Sequence, residues 1–348
     1  MVHKKVLLYV LMIVFMTVVA TGCDQSPVDT VTPDQVEIEQ VIPESAKTVE
    51  EDQQQDREPD GVGVLLFTVT VHLEGWEDDI NEQRFHRHAA LLREYADLFE
   101  QYGAVLTLES KEMTAGCFLW GDNVLGEMEQ RGHAVAVHAD VGAKPGDTRS
   151  DIRSKLTQAV GEMRQIGLDP RHVSGVCSRA DWVSATADTG FEAVTGVVSY
   201  GLWSLDKNLR PEGFRPYKNI VDGHLHYPWN LSECVNPWMA KDGATWTTNH
   251  PTGRILIIPA GPNLIYAFEE SQSDGQGVIS GEFTVDDITV WDETLAEALE
   301  YTDSDRINTL YAVWSFGSVP DMVLMEQWLQ MVDRYVQAGR LEWKTLYL

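Results

Sequence analysis

Four titratable residues fall in two pairs spaced two apart, His72 with Glu74 and His138 with Asp140. Residues two apart on an extended strand point the same way, so His72 and Glu74 can offer a nitrogen and an oxygen to one point. Zinc accepts imidazole nitrogen and carboxylate oxygen in tetrahedral geometry, so the four residues read as an N/O site for one divalent cation, zinc or similar. Each also has a plain structural use. A histidine at a strand end is often satisfied by its neighbours, and Glu74 can cap the turn that follows it. Eleven Trp occur among 348 residues, and Trp faces are good platforms for sugar rings. Most of them are expected in the core. Trp76, Trp182 and Trp203, with His250, are the candidate substrate contacts, and Trp229 and Trp238 are further platforms for a glycan. His133, next to a helix stop, reads as a structural hydrogen-bonder. His224 and His226 lie in an irregular stretch and fit either use.

These residues act together only if the fold brings them together. Apolar, β-rich runs over 62–72, 104–108, 133–138, 172–177, 193–199, 254–259 and 309–316 read as strands. Helical spacing covers 83–102, 123–131, 150–166, 182–190, part of 284–301, and 321–338. Gly103, Gly132, Gly167 and Gly339 stand where helix-ending glycines belong. The stretch 207–251 is aperiodic and rich in Pro, Trp and His. Strands alternating with helices imply parallel pairing and right-handed crossovers. About seven such units in one domain favour a barrel, whose chemistry sits at the C-terminal strand ends. Collected there are His72-Leu73-Glu74-Gly75-Trp76, Glu109, His138-Ala139-Asp140, Ser178-Arg179-Ala180-Asp181-Trp182, Tyr200-Gly201-Leu202-Trp203, and Trp314-Ser315-Phe316-Gly317.

The N-terminal 60 residues carry a different message. Lys4 and Lys5 precede an apolar run over 6–19, long enough for a signal peptide and short for a membrane-spanning helix. Ala20-Thr21-Gly22-Cys23 follows and resembles the lipobox of bacterial lipoproteins. The expectation is a signal peptide over 1–22, lipid on Cys23, and a disordered linker over 23–60. Twelve Asp or Glu against Lys47 and Arg57 leave that linker at −10, too charged and too poor in apolar groups to fold. The protein is thus expected in the cell envelope, exported from the cytoplasm and anchored to a membrane through lipid alone. Of the whole chain's −28, about −20 falls on the domain over 61–348, which disfavours nucleic acid as a partner. Cys117, Cys177 and Cys234 have no metal-type spacing, and an oxidising location permits one disulfide among them.

The order of these segments resembles the polysaccharide deacetylase superfamily. Thr70-Val71-His72-Leu73-Glu74 stands where that family ends its first strand in an Asp-bearing motif. Arg131-Gly132-His133-Ala134-Val135-Ala136-Val137-His138 matches the first half of its Arg-Gly-His-Glu motif. Arg179 with Gly190-Phe191, and the closing Gly339 to Leu346, fit as well. The resemblance covers nearly all of 61–348. It implies an incomplete (β/α)7 TIM-like barrel, a carbohydrate substrate and a divalent metal. It also places His138 as a metal ligand. The chain departs from the family at His72, where an Asp acting as general base is usual, at the second Asp, which is replaced by Leu73 or displaced to Glu74, and at Gly142, where a second metal His is usual. The reading that survives these departures is deacetylation of a carbohydrate, with His72, Glu74 and His138 as metal ligands. Glu74 or Asp140 would be the base, and Arg179 would orient that carboxylate through paired hydrogen bonds. Two alternatives stay open, a glycosidase working through Glu74 and a second carboxylate, and a non-catalytic glycan-binding lipoprotein.

Overall fold

The computed structural model describes residues 63–74, 77–141, 146–198, 206–210, 226–227, 231–259, 261–272 and 281–346. The signal peptide, Cys23, the linker, Trp76, Gly142, Trp203, His224 and Trp229 lie outside the described residues. Among the described residues no helix is long and apolar enough to cross a membrane.

The strands are β1 (Leu65–Leu73), β2 (Leu106–Ser110), β3 (Ala134–Val141), β4 (His172–Val176), β5 (Ala193–Thr195), β6 (Val197–Val198), β7 (His226–Tyr227), β8 (Trp238–Ala240), β9 (Ile255–Ile258), β10 (Thr309–Ser315) and β11 (Leu341–Trp343). The helices are α1 (Glu82–Glu100), α2 (Glu112–Trp120), α3 (Val124–Gln130), α4 (Arg149–Gln165), α5 (Trp182–Ala187), α6 (Leu231–Cys234), α7 (Ala267–Ser271), α8 (Val285–Glu300) and α9 (Met322–Gln337). One sheet runs in the order β10-β1-β2-β3-β4-β5-β9-β8, with β11 beside the start of β1. Seven strands of that path are parallel, and β8 joins its edge antiparallel to β9. The result is an α/β fold on a curled, open sheet. Across its gap, Asn263, just past β9, makes a single parallel bridge to Val313 in β10.

The strands β1, β2, β5 and β10 bury both faces, and the two faces differ. On β1, Phe67 points at the helices and packs against Trp291 of α8, Trp328 of α9 and Trp343 of β11, with ring centroids 5.2–6.1 Å apart. The alternate residues Thr68, Thr70 and His72 face the concave side. That inner side is apolar along one half, where Ala193, Ile258, Tyr311, Val313 and Leu346 cluster. Along β1 to β5 it is polar instead, with Thr68, Thr107, Glu109, His138, His172, Ser174 and Thr195 all buried. Thr68 satisfies its hydroxyl by donating to the Val105 carbonyl at 2.8 Å. Buried polar groups need partners, so this half of the interior must be a connected network.

Local signals explain the borders. α4 starts on a capping box in which Thr148 and Asp151 satisfy each other's backbone N–H. α1 is capped by Asn81 Oδ1 on Arg84 N–H. Several features differ from the sequence expectation. α2 follows β2 directly, its apolar residues spread around the helix and thus without a clear period. The stretch expected to be aperiodic contains α6 and the strand β8, whose three residues are too few to show alternation. Cys117, Cys177 and Cys234 are all buried and no disulfide joins them.

Candidate functional site

The register of the sheet builds the site. His72 on β1 is the Cα partner of Glu109 on β2, and His138 on β3 is that of Ser174 on β4. Glu109 is wholly buried, and three imidazoles surround its carboxylate. His72 Nε2 lies 2.9 Å from Oε2, His138 Nδ1 lies 3.9 Å from Oε2, and His172 Nε2 lies 3.3 Å from Oε1. Thr195 on β5 donates its hydroxyl to Oε1 at 2.5 Å. Burial opposes charge on Glu109, but the three histidines outweigh it and hold the carboxyl well below its usual range.

His138 links this inner group to an outer one. Its Nδ1 is 2.7 Å from Ser174 Oγ, while Nε2 is 3.1 Å from Glu74 Oε2 and 3.2 Å from Asp140 Oδ1. Burial disfavours the imidazolium, yet Asp140, Glu109 and Glu74 together raise His138 well above the ordinary histidine value. Asp140 is partly exposed. Its carboxyl is lowered despite burial, by the hydrogen bond to His138 and then by Lys111, whose Nζ sits 2.8 Å from Oδ2. The same ammonium is 3.8 Å from Glu74 and 3.8 Å from Glu112. A cleft of about 580 Å³ opens here, lined by Lys111, His138, Asp140 and, from α4, Lys155, Gln158 and Glu162.

Asp140 owes its position to backbone strain. The pairing of β3 with β4 shifts register between His138 and Val141, and Asp140 has a left-handed φ of 49°. Only a very small neighbour fits beside that bulge. Gly175, with φ of 67°, supplies it: a Cβ there would stand 2.7 Å from the Asp140 backbone nitrogen.

The structure brings His72, Glu74, His138 and Asp140 together from two strands. It sorts their ligand atoms into two groups that share His138, namely His72–Glu109–His138 and Glu74–His138–Asp140. The other expected contacts fall elsewhere. Trp182 is fully buried, packed edge-on against Trp246 at 5.8 Å, so it is a core residue and cannot present a face to a sugar. His250 belongs to the turn between β8 and β9, with Nδ1 accepting from Thr252 N–H at 3.2 Å. That turn precedes the first residue of β9, at the opposite end of the sheet from His138, so His250 is not a substrate contact in the cleft. Arg179 is more than half exposed and faces Asp206 at 3.5 Å; the cation beside Glu74 and Asp140 is Lys111 instead. Trp238 is half-buried and donates its indole N–H to the Trp246 carbonyl at 2.6 Å. His133 is structural, accepting from Leu106 N–H at 3.0 Å. Glu109, His172 and Lys111 carried no assigned role in the sequence. A lone carboxylate inside the wholly buried strand Leu-Thr-Leu-Glu-Ser was the signal for Glu109, since unpaired carboxylates are almost never fully buried.

Both groups offer imidazole nitrogen and carboxylate oxygen, the donor set zinc takes. Glu109 Oε2 is buried without a hydrogen bond of good angle, which fits a ligand atom awaiting a cation.

No family model matches the chain, and no curated protein does. Among solved structures it is similar to a protein described as a polysaccharide deacetylase from Mycobacterium smegmatis, at 10% identity and a TM-score of 0.48, over 84% of this chain and 96% of that one. The Puue allantoinase structure matches at 11% identity and a TM-score of 0.48, over 84% of this chain and 92% of that one. A GH57 branching enzyme from Thermococcus kodakaraensis matches at 11% identity and a TM-score of 0.47, over 82% of this chain and 70% of that one. None of these likenesses says which residues act here.

Proposed function

We propose that this chain is an envelope lipoprotein that hydrolyses acetyl groups from a carbohydrate, with a divalent cation assisting. The observation that carries the reading is the convergence on His138. One buried imidazole meets the carboxylates of Glu74 and Asp140 at 3.1 and 3.2 Å, at the C-terminal strand ends and beside an open cleft. Either group sharing His138 has the residues to hold the cation. When bound, it would polarise the acetyl carbonyl and lower the pKa of an adjacent water.

The chain's own residues supply the rest. Glu74 meets two residues that line the cleft, His138 at 3.1 Å and Lys111 at 3.8 Å, and is not held by a bulge, so it takes the proton from the attacking water. Asp140 is pinned by Lys111, by His138 and by its bulge, which suits it to orienting rather than to moving protons. The Lys111 ammonium, 3.8 Å from Glu74, places positive charge beside the point where oxyanion charge develops. Tryptophan-based glycan binding without catalysis is less well supported, since Trp182 is in the core.

The test is acetate release from acetylated chito- and xylo-oligosaccharides by purified protein, with and without chelator. Activity lost with chelator, restored by zinc, and lowered at least a hundredfold in Glu74→Gln is expected. Glycan binding with no acetate release by the zinc-loaded protein would overturn the enzyme reading. Release unaffected by chelator would point to carboxylate-pair chemistry.

A further inference from the structure

His138 has two nitrogens and each faces a candidate cation position, so the seat of the cation is a question with a structural answer. On the cleft side the carboxylates are already compensated. Lys111 Nζ stands 2.8 Å from Asp140 and 3.8 Å from Glu74, where it would repel a second positive ion. On the buried side no ammonium is within ion-pair distance of Glu109 among the described contacts, and two polar atoms lack hydrogen bonds. Glu109 Oε2 and His172 Nε2 are both fully enclosed, and the imidazoles near that carboxylate approach it off the hydrogen-bonding line.

We propose that His72 Nε2, Glu109 Oε2 and His138 Nδ1 form a divalent-cation site on the buried side of His138, the class of ion being zinc. One ligand atom from each of the three residues lies within 4.8 Å of the other two, with His72 Nε2 at 2.9 Å and His138 Nδ1 at 3.9 Å from Glu109 Oε2. Two imidazoles and one carboxylate are three ligands of a tetrahedral zinc site and leave one position open. The surroundings are those that hold such ligands in place. His138 Nε2–H donates to Glu74 and Asp140, the carboxylate–histidine–metal arrangement that fixes tautomer and ring orientation. Thr195 anchors the other oxygen of Glu109 through its hydroxyl. Ser174 Oγ holds Nδ1 in the ion-free chain and yields that contact to the ion. His72 is 19% exposed, which gives the ion a way in past its ring.

This inference rests on the reading that the chain takes a cation, and not on what its substrate is. The experiment uses the full chain carrying Cys23→Ser, so that neither a lipid nor a thiol at that position takes part. The protein is stripped with chelator, then titrated with zinc chloride by calorimetry, and metal content is counted after dialysis. One zinc per chain is expected, with more than hundredfold loss of affinity in Glu109→Gln and His72→Ala. Asp140→Asn should lose about tenfold, as an outer carboxylate does. His72 is at the surface of the network, so its variant reports even where Glu109→Gln fails to fold. Cobalt should give the intense visible absorption of a tetrahedral site in the parent chain and lose it in His72→Ala. Zinc retained by His72→Ala and lost by Asp140→Asn would place the ion on the cleft side and overturn the proposal, as would a parent chain that binds none. Zinc bound as proposed with no acetate release counts against the deacetylase reading alone and leaves the site standing.

Discussion

Gly175→Ala isolates the device that aims Asp140. Gly175 is left-handed, and an L-residue in that conformation costs about 1–2 kcal/mol. Its added Cβ would also stand 2.7 Å from Asp140 N, 3.1 Å from Oδ1 and 3.3 Å from Cα. The closest of these is backbone, so β3 itself must move by several tenths of an ångström. Overpacking of that kind costs about 1–3 kcal/mol, which brings the expected loss to about 2–5 kcal/mol. Net stabilities of about 5–15 kcal/mol leave the variant folded but weakened. Gly167→Ala is the matched control, because Gly167 is left-handed too, at φ 86°, and a Cβ there meets nothing within 4 Å. Urea unfolding of the three proteins should give a loss for Gly175→Ala that exceeds the control by about 1–3 kcal/mol at an unchanged m-value. Acetate release should fall in Gly175→Ala and not in the control. Equal losses in the two variants would show that the bulge yields freely and that Gly175 does not position Asp140.

Four other outcomes are expected. Stability of the metal-free protein should be greatest between roughly pH 4 and 6.5. Glu109 and Asp140 are lowered, so their contribution is present above the ordinary carboxylate values and is lost as pH falls through the folded ones; His138 is raised, so its contribution is complete below the ordinary histidine value and is lost as pH rises through the folded one. Urea midpoints that stay flat from pH 6.5 to 9 would show that His138 is not held charged. Trp182→Ala should lower stability by about 3–5 kcal/mol, read by thermal and urea unfolding, because it empties a core site beside Trp246; a loss of glycan affinity with unchanged stability would reverse that assignment. Arg179→Ala should cost less than about 1 kcal/mol and leave acetate release unchanged, since its pair with Asp206 is exposed. Cys23→Ser should move the protein from the membrane fraction to the soluble one and abolish labelling by a fatty-acid probe; continued membrane labelling would refute the lipid anchor.

The long amphipathic elements were legible because their periods are long. The expected helix over 83–102 is α1, Glu82–Glu100, and the one over 321–338 is α9, Met322–Gln337. Parallel pairing followed from the alternation of strands with helices. β8 was hidden because three residues show no period, and β11 because it lies among residues that also read as a helix exit. At the site, the period of two on β1 indicated that His72 and Glu74 share a side, but it could not show which partners the other strands bring. Glu109 sits opposite His72 only through the register of β1 with β2, and that register is a tertiary fact. Arg179 looked like the orienting cation because it follows a strand end, yet its side chain is more than half exposed and pairs with Asp206. Lys111, directly after β2, reaches Asp140 across the strand ends. Trp182 was misread because composition cannot separate a buried ring from a displayed one.

His138 shows why one histidine can organise both sides of the interior. An imidazole has two nitrogens in one rigid plane, so whatever binds one fixes the protonation of the other. In the ion-free chain the carboxylates of Glu74, Asp140 and Glu109 together favour a proton on each nitrogen, which balances buried negative charge. A cation at Nδ1 would replace one proton and keep the other on Nε2, still donated to the cleft carboxylates. The exchange adds one positive charge beside the buried carboxylate of Glu109, which no ammonium faces among the described residues, while leaving the contacts of Asp140 with Lys111 and His138 untouched. A cation at Nε2 would remove the proton that His138 donates to Glu74 and Asp140 and set the ion against Lys111. Electrostatics and hydrogen-bond geometry therefore favour the same arrangement, with the ion on the Glu109 side of His138 and the contacts of Glu74 with His138 and Lys111 kept.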